Sequence, residues 1–221
     1  MMIYDNLYIK WSKGSDEYVL HIQQDELAEN PRTFCDHDTI FAAFGSHSQV
    51  GDRINEKDPE EFWNSLVQKY APTDKFLTVE QCQNRLYLYL VSLPVWGYSH
   101  SGLTISCGER VYPYNDQWDS GLLGWIVFPK PDYWGADWRK RAFEAMRAEI
   151  EEVDTWLRGE VYGYTLYKNG EEIDSCWGFY GSNLEESGIA EYIPELSEIL
   201  KSDNYTSGAA QKKITTHYIF D

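Results

Sequence analysis

The sequence predicts an α+β protein of one domain, 1–221, with helices packed on a largely antiparallel sheet. Three observations lead there. Runs of strand formers flank tight-turn residues, most clearly around Asn169-Gly170. One long segment, Trp138 to Leu157, spaces its apolar residues by three and four. No internal repeat or low-complexity linker divides the chain.

Taken in order, "IYDNLYIKWSKGSDEYVLHIQQ" reads as a hairpin, with "KGSD" turning between Tyr8–Trp11 and Tyr18–Ile22. "NPR" at Asn30 to Arg32 breaks the chain, and "DTIFAAFG" reads as a short helical piece closed by Gly45. "DPEEFWNSLVQKY" carries a helix start, with Asp58 as N-cap, Pro59 in the first turn and Glu61 three residues past the cap. Phe62, Leu66 and Tyr70 then share a face. "RLYLYLVSLPVWGY" reads as a buried strand ended by Pro94, with "GLTISC" as its neighbour. Trp125 to Phe128 forms another strand, stopped by Pro129.

The Trp138–Leu157 helix presents Phe143, Met146, Ile150, Val153 and Leu157 as its core stripe, with Glu144, Glu151 and Thr155 opposite and Gly159 ending it. In "EVYGYTLYKNGEEIDSCWGFYG", Asn169-Gly170 suits a type I′ turn, which needs φ > 0 at both central residues. Strict alternation would place Ile173, Ser175, Trp177 and Phe179 on one face and Asp174, Cys176, Gly178 and Tyr180 on the other. "NLEESGIAEYIPELSEILKS" opens on Asn183 with Glu186 at capping-box spacing, and Pro194 splits it. "KITTHYIF" is the last strand expected.

The formal net charge is −17, which disfavours nucleic acid and anionic membranes as direct partners and favours basic protein surfaces. Nine Trp, seventeen Tyr and nine Phe exclude a disordered acidic tail, because they are ample for a core. From Ala145 to Leu200 there are thirteen acids against three bases. No apolar run is long enough for a membrane span, and the first residues lack the basic and apolar regions of a signal peptide. Cys35, Cys82, Cys107 and Cys176 are well separated, which suits reduced thiols in a cytoplasm; two disulfides in an exported protein are the alternative.

Motifs for catalysis are weak. Cys176 lies among Glu171, Glu172 and Asp174, which oppose a thiolate, so it reads as a sheet residue rather than a nucleophile. Cys107 or Cys176 with His100 or His217 supplies residue types for Cys–His chemistry without a motif joining them. Cys35, Asp36, His37, Asp38 and His47 lack metal-ligand spacing and read as a polar loop. Phosphate-loop and hydrolase-elbow patterns are absent, so neither a catalytic set nor a cofactor is expected. "YPYNDQWDSGLLGW" reads equally as a turn into a strand and as a recognition loop built on Asp116, Trp118 and Asp119.

At "NPRTFCDHDTIFAAFGSHSQVGD", "YSHSGLTIS", "YNDQWDSGLLGWIVF" and "GEVYGYTLYKNGEEIDSCWGFYG", the chain resembles a family of small proteins from bacteriophages, prophages and plasmids. "QWDSGLLGWI" and "DSCWGFYG" are its most specific pieces. The resemblance implies a mobile element in a bacterial host cell, where such genes often counter restriction or CRISPR systems. It brings no catalytic residue with it.

Charge and resemblance together lead to an acidic cytoplasmic protein that inhibits a defence nuclease by occupying its nucleic-acid channel, whose Lys and Arg side chains hold phosphates. The expected contacts are Glu144, Glu151, Glu152, Asp154, Glu171, Glu172, Glu185, Glu186, Glu191 and Glu195, with Asp116, Trp118 and Asp119 as a second patch. Two other readings stay open. One is a small hydrolase or nucleotide-acting enzyme using the Asp116/Asp119 loop; the other is an assembly factor of the mobile element.

Overall fold

The computed structural model describes residues 2–3, 6–108, 116, 118–132, 135–202 and 205–209. Helices and two antiparallel sheets make up the protein, in the α+β class that the sequence predicts. Packing divides the chain into two compact units, 1–28 with 159–221 and 29–158. The division stems from strand pairing. The second strand finds its partner not in the next segment but beyond residue 158, so 29–158 is inserted between neighbouring strands.

The discontinuous unit holds β1 (Asn6–Lys13), β2 (Asp16–Gln24), β7 (Val161–Lys168), β8 (Glu171–Tyr180) and β9 (Thr206–Ala209), in the order β8-β7-β2-β1-β9. Both predicted hairpins are present. One sheet face carries Ile9, Trp11, Leu20, Ile22, Tyr162 and Tyr164 into a core closed by Leu184, Ile189, Ile193 and Leu196. Those last residues belong to the segment holding the short helices α4 (Ile189–Tyr192) and α5 (Leu196–Lys201), broken around Pro194 as expected. Asn183 caps a turn rather than a helix: its Oδ1 accepts from Glu185 N at 3.0 Å, and Gly188 with φ 84 intervenes before α4.

The β7–β8 turn has Asn169 at φ 51 and Gly170 at φ 88, as a type I′ turn requires. The strict alternation expected along β8 fails. Register shifts leave Ile173 and Gly178 as extra residues, and each reverses the parity of the strand residues beyond it. Phe179 therefore pairs with Tyr162 and turns into the core on the side of Cys176, whereas Trp177 pairs with Gly163 on the opposite face.

Residues 29–158 form three layers. The sheet has the order β3-β6-β4-β5, from β3 (Ile40–Ala43), β6 (Ser120–Pro129), β4 (Leu90–Ser99) and β5 (Leu103–Cys107). On one face lies α3 (Trp138–Leu157), which buries Trp138, Ala142, Met146, Ile150 and Val153 against Phe41, Leu93, Ile126 and Phe128. Phe143 and Leu157 pack at the border of that core. The other face holds α1 (Pro59–Tyr70) and α2 (Val79–Leu86), where Trp63 meets the edge of Trp125 at 6.1 Å. Asp58 caps α1 as predicted, accepting from Glu61 N at 2.9 Å.

Four expectations in this unit are corrected. "IFAA" is strand β3, not a helix, because Phe41 and Ala42 face the two different cores. "RLYLYL" is not strand: Leu86 ends α2, and Tyr87, Leu88 and Tyr89 are exposed before β4 starts at Leu90. Pro94 does not end β4. Its carbonyl accepts from Gly108 N, on the side where β5 has just run out, so its missing N–H is not needed by the ladder. Thr155 is buried rather than outward, its hydroxyl donating to Glu151 O at 2.8 Å within α3. "KITTHYIF" and His217 lie outside the described residues.

Candidate partner-binding surfaces

Each acid selected from the sequence has a definite place. In the discontinuous unit, Glu171 and Glu172 are exposed on β8 beside the turn, as is Asp174. Asp174 accepts from Tyr164 Oη at 2.7 Å, and burial together with that carboxylate pushes the Tyr164 hydroxyl up. Glu185, Glu186 and Glu191 are exposed on the segment covering the sheet. Glu195 is paired with Lys13. Lys168 is paired with Asp16 at 2.8 Å and lies opposite Glu171 in the β7–β8 register.

In the inserted unit the acids of α3 separate into two kinds. Glu144 and Glu151 face solvent, and Glu144 has a loose 3.8 Å ion pair with Lys140. Glu152 is half-buried. Asp154 is engaged: its Oδ1 accepts from Ile105 N at 2.7 Å, tying α3 to the outer side of β5, and Oδ2 meets Arg158 at 3.2 Å. Burial pushes its carboxyl up, against the Ile105 N–H and Arg158. The residue selected as a contact is here a fastening of the fold.

The loop "NDQWDSG" is described at Asp116 and from Trp118 onward; Tyr112 to Asn115 and Gln117 lie outside the described residues. Asp116 Oδ1 accepts from Trp118 N at 2.8 Å and from Asp119 N at 3.3 Å, the turn expected of an Asp at this place. Trp118 is 95 % exposed. Asp119 Oδ2 lies 2.8 Å from His100 Nδ1, and the His100 ring stacks on Tyr98.

The features considered for catalysis are not joined into a set. Burial pushes the Cys107 thiol up to about 11, and it also raises Cys35 and Cys82, all away from thiolate formation. Cys176 packs against the sheet core. His100 and Asp119 are in hydrogen-bond contact, but no described hydroxyl or thiol is hydrogen-bonded to the other ring nitrogen. Among the described residues, no three His, Cys, Asp or Glu side chains converge as a metal site.

Sequence reasoning passed over the most elaborate polar cluster. Arg32, with its side chain 1 % exposed, donates Nε to Asp52 at 2.7 Å and Nη2 to Asp52 at 2.8 Å. It also reaches Thr39 Oγ1, the Thr39 carbonyl and Glu149 Oε2. His37 Nδ1 lies 3.4 Å from Glu149. Asp52 meanwhile accepts from Phe41 N at 2.9 Å along the outer side of β3. The loop with five metal-capable residues is therefore shaped around a buried guanidinium. Nothing local in the sequence marks it, because Asp52 and Glu149 lie 20 and 117 residues from Arg32.

A comparison with protein-family models finds no match, and comparisons with curated proteins and with solved structures find none either. No helix among the described residues is long and apolar enough to cross a membrane.

Proposed function

We propose that the protein is an acidic inhibitor, carried by a mobile element in a bacterial cell, that occupies the nucleic-acid channel of a host defence nuclease. The observation that supports this reading is the exposure of Glu144, Glu151, Glu171, Glu172 and Glu191 on helices and strands, and of Glu185 and Glu186 in the turn before α4. A net charge of −17 steers such a surface toward Lys- and Arg-lined grooves. Exposed Trp118 adds a rigid apolar anchor of the kind that dominates interface energetics. Carboxylates competing for phosphate-binding cations give binding that weakens with salt.

The test is competition with DNA for a restriction or CRISPR nuclease across a salt series. Inhibition that is unchanged by salt, or by charge reversal at these acids, overturns the proposal. The His100–Asp119 pair favours a second reading, a small hydrolase or nucleotide-acting enzyme. Hydrolysis of a nucleotide or ester panel that His100→Ala abolishes would support it.

A further inference from the structure

The edges of the two sheets are treated differently. In the inserted unit, acidic residues cover both: Asp52 exchanges hydrogen bonds with Phe41 N and O on β3, and Asp154 takes Ile105 N on β5. On β8, at one edge of the five-stranded sheet, no acidic side chain takes the N–H of Ser175 or Trp177 among the described residues, and Trp177 O lies 3.9 Å from the Cys176 thiol. The direction of its backbone groups is set by β7. Asp25 N donates to Val161 O and Asn169 N to Glu17 O, so odd-numbered β7 residues bond toward β2 and even-numbered ones toward β8. The β8 residues opposite the odd ones are Glu172, Ser175, Trp177 and Tyr180, and the N–H and C=O groups of Ser175 and Trp177 point away from the sheet.

We propose that this edge receives an extended, basic segment of a partner protein as an added strand, paired through Ser175 and Trp177. The proposal rests on the reading of the protein as a binder of basic partners and gives that binding a mode. Main-chain bonds supply the registry, as in other strand additions. Around them, exposed Glu171, Glu172 and Asp174 select Lys or Arg side chains, and Trp177, 45 % exposed, offers a ring to a cation. A second copy in parallel, in-register pairing is disfavoured, because it would set Glu171, Glu172 and Asp174 against their own equivalents. The extra residues Ile173 and Gly178 confine the straight run to Asp174–Trp177, which limits continued stacking of chains.

The experiment uses the whole protein, ¹⁵N-labelled, and a synthetic extended peptide alternating Lys with Val and Thr; a peptide with Glu in place of Lys is the control. Binding of the Lys peptide is expected to slow amide exchange at Ser175 and Trp177 by about tenfold or more, with no effect from the Glu peptide. Ser175→Pro removes the outward N–H together with the hydroxyl that donates to Glu172 Oε1 at 3.1 Å, so Ser175→Ala is the control, expected to keep this binding, whereas the Pro variant is expected to abolish it while amide exchange at Tyr164 and Cys176 stays protected. Should that variant misfold, Glu171→Lys with Glu172→Lys is expected to weaken peptide binding by about tenfold. Unprotected Ser175 and Trp177 amides under peptide excess overturn the proposal, as does binding indifferent to Ser175→Pro, or protection that grows with protein concentration alone. Nuclease inhibition retained by folded Ser175→Pro would sink this mode and leave the acidic-inhibitor reading standing. Peptide capture without any nuclease inhibition would do the reverse.

Discussion

Arg32 shows how one residue organises a loop. Burial opposes its charge, yet Asp52 and Glu149 outweigh that and hold its pKa above the ordinary guanidinium value. Removing it leaves two carboxylates facing each other around an empty space, so Arg32→Ala is expected to destabilise by about 3–5 kcal/mol. Urea unfolding checks this, and a loss below about 1 kcal/mol would show that the carboxylates are rehydrated at no cost. Asp154 makes the opposite case. Its folded-state pKa is raised by burial, so the stability it contributes is present below the ordinary carboxylate range, about pH 4, and is lost as pH rises through the folded pKa. Asp154→Asn keeps an acceptor for Ile105 N and should remove that part of the fall in stability with rising pH. An unchanged pH profile from denaturant titrations would refute the assignment. On β7, an added Cβ at Gly163 would stand 2.1 Å from the Trp177 ring. Gly163→Ala is thus expected to cost about 1–3 kcal/mol, and most of it should vanish in the background of Trp177→Ala.

At the scale of elements, local chemistry decided what could be read. The Asp58 cap, the Asn169-Gly170 turn and the stripe of α3 each depend on residues within a few positions; the cap and the turn are where the sequence put them, and the stripe keeps Met146, Ile150 and Val153 in the core with Phe143 and Leu157 at its border. What escaped reading depends on distant partners. "IFAA" carries no period that separates strand from helix, and only pairing with β6 makes it a strand. The bulges at Ile173 and Gly178 likewise exist only relative to β7, so alternation put Phe179 on the wrong side of the sheet. α2 had a readable signal in Thr78 and Gln81, whose side chains reciprocally satisfy each other's backbone N–H groups. Thr78→Ala is expected to cost about 1 kcal/mol, measured as a fall in midpoint denaturant concentration. Among the candidate contacts, exposure of Glu171 and Glu151 followed from the turn and the stripe. The engagement of Asp154 did not, because Ile105 is far away in sequence.

At the scale of the molecule, the acids lie on two compact units, and this turns a question about net charge into one that mutations can divide. Neutralising Glu144 and Glu151 alters only the inserted unit; neutralising Glu171, Glu172, Glu185 and Glu186 alters only the discontinuous one. All six are exposed, so neither set should unfold the protein, and relief of like-charge repulsion should leave each variant as stable as the parent or slightly firmer. Their effects on a basic partner are expected to differ. If strand addition at β8 is the binding mode, the discontinuous-unit set weakens association by about tenfold at low salt, and the α3 set changes it little. The difference should be mainly in the association rate and should shrink as salt rises, because exposed charges act through a screened field. Stopped-flow association at two ionic strengths measures both quantities. Equal losses from the two sets would mean that the partner senses total charge rather than a place on the surface. A larger loss from the α3 set would move the contact to the inserted unit and leave the β8 acids with the role of guarding a sheet edge.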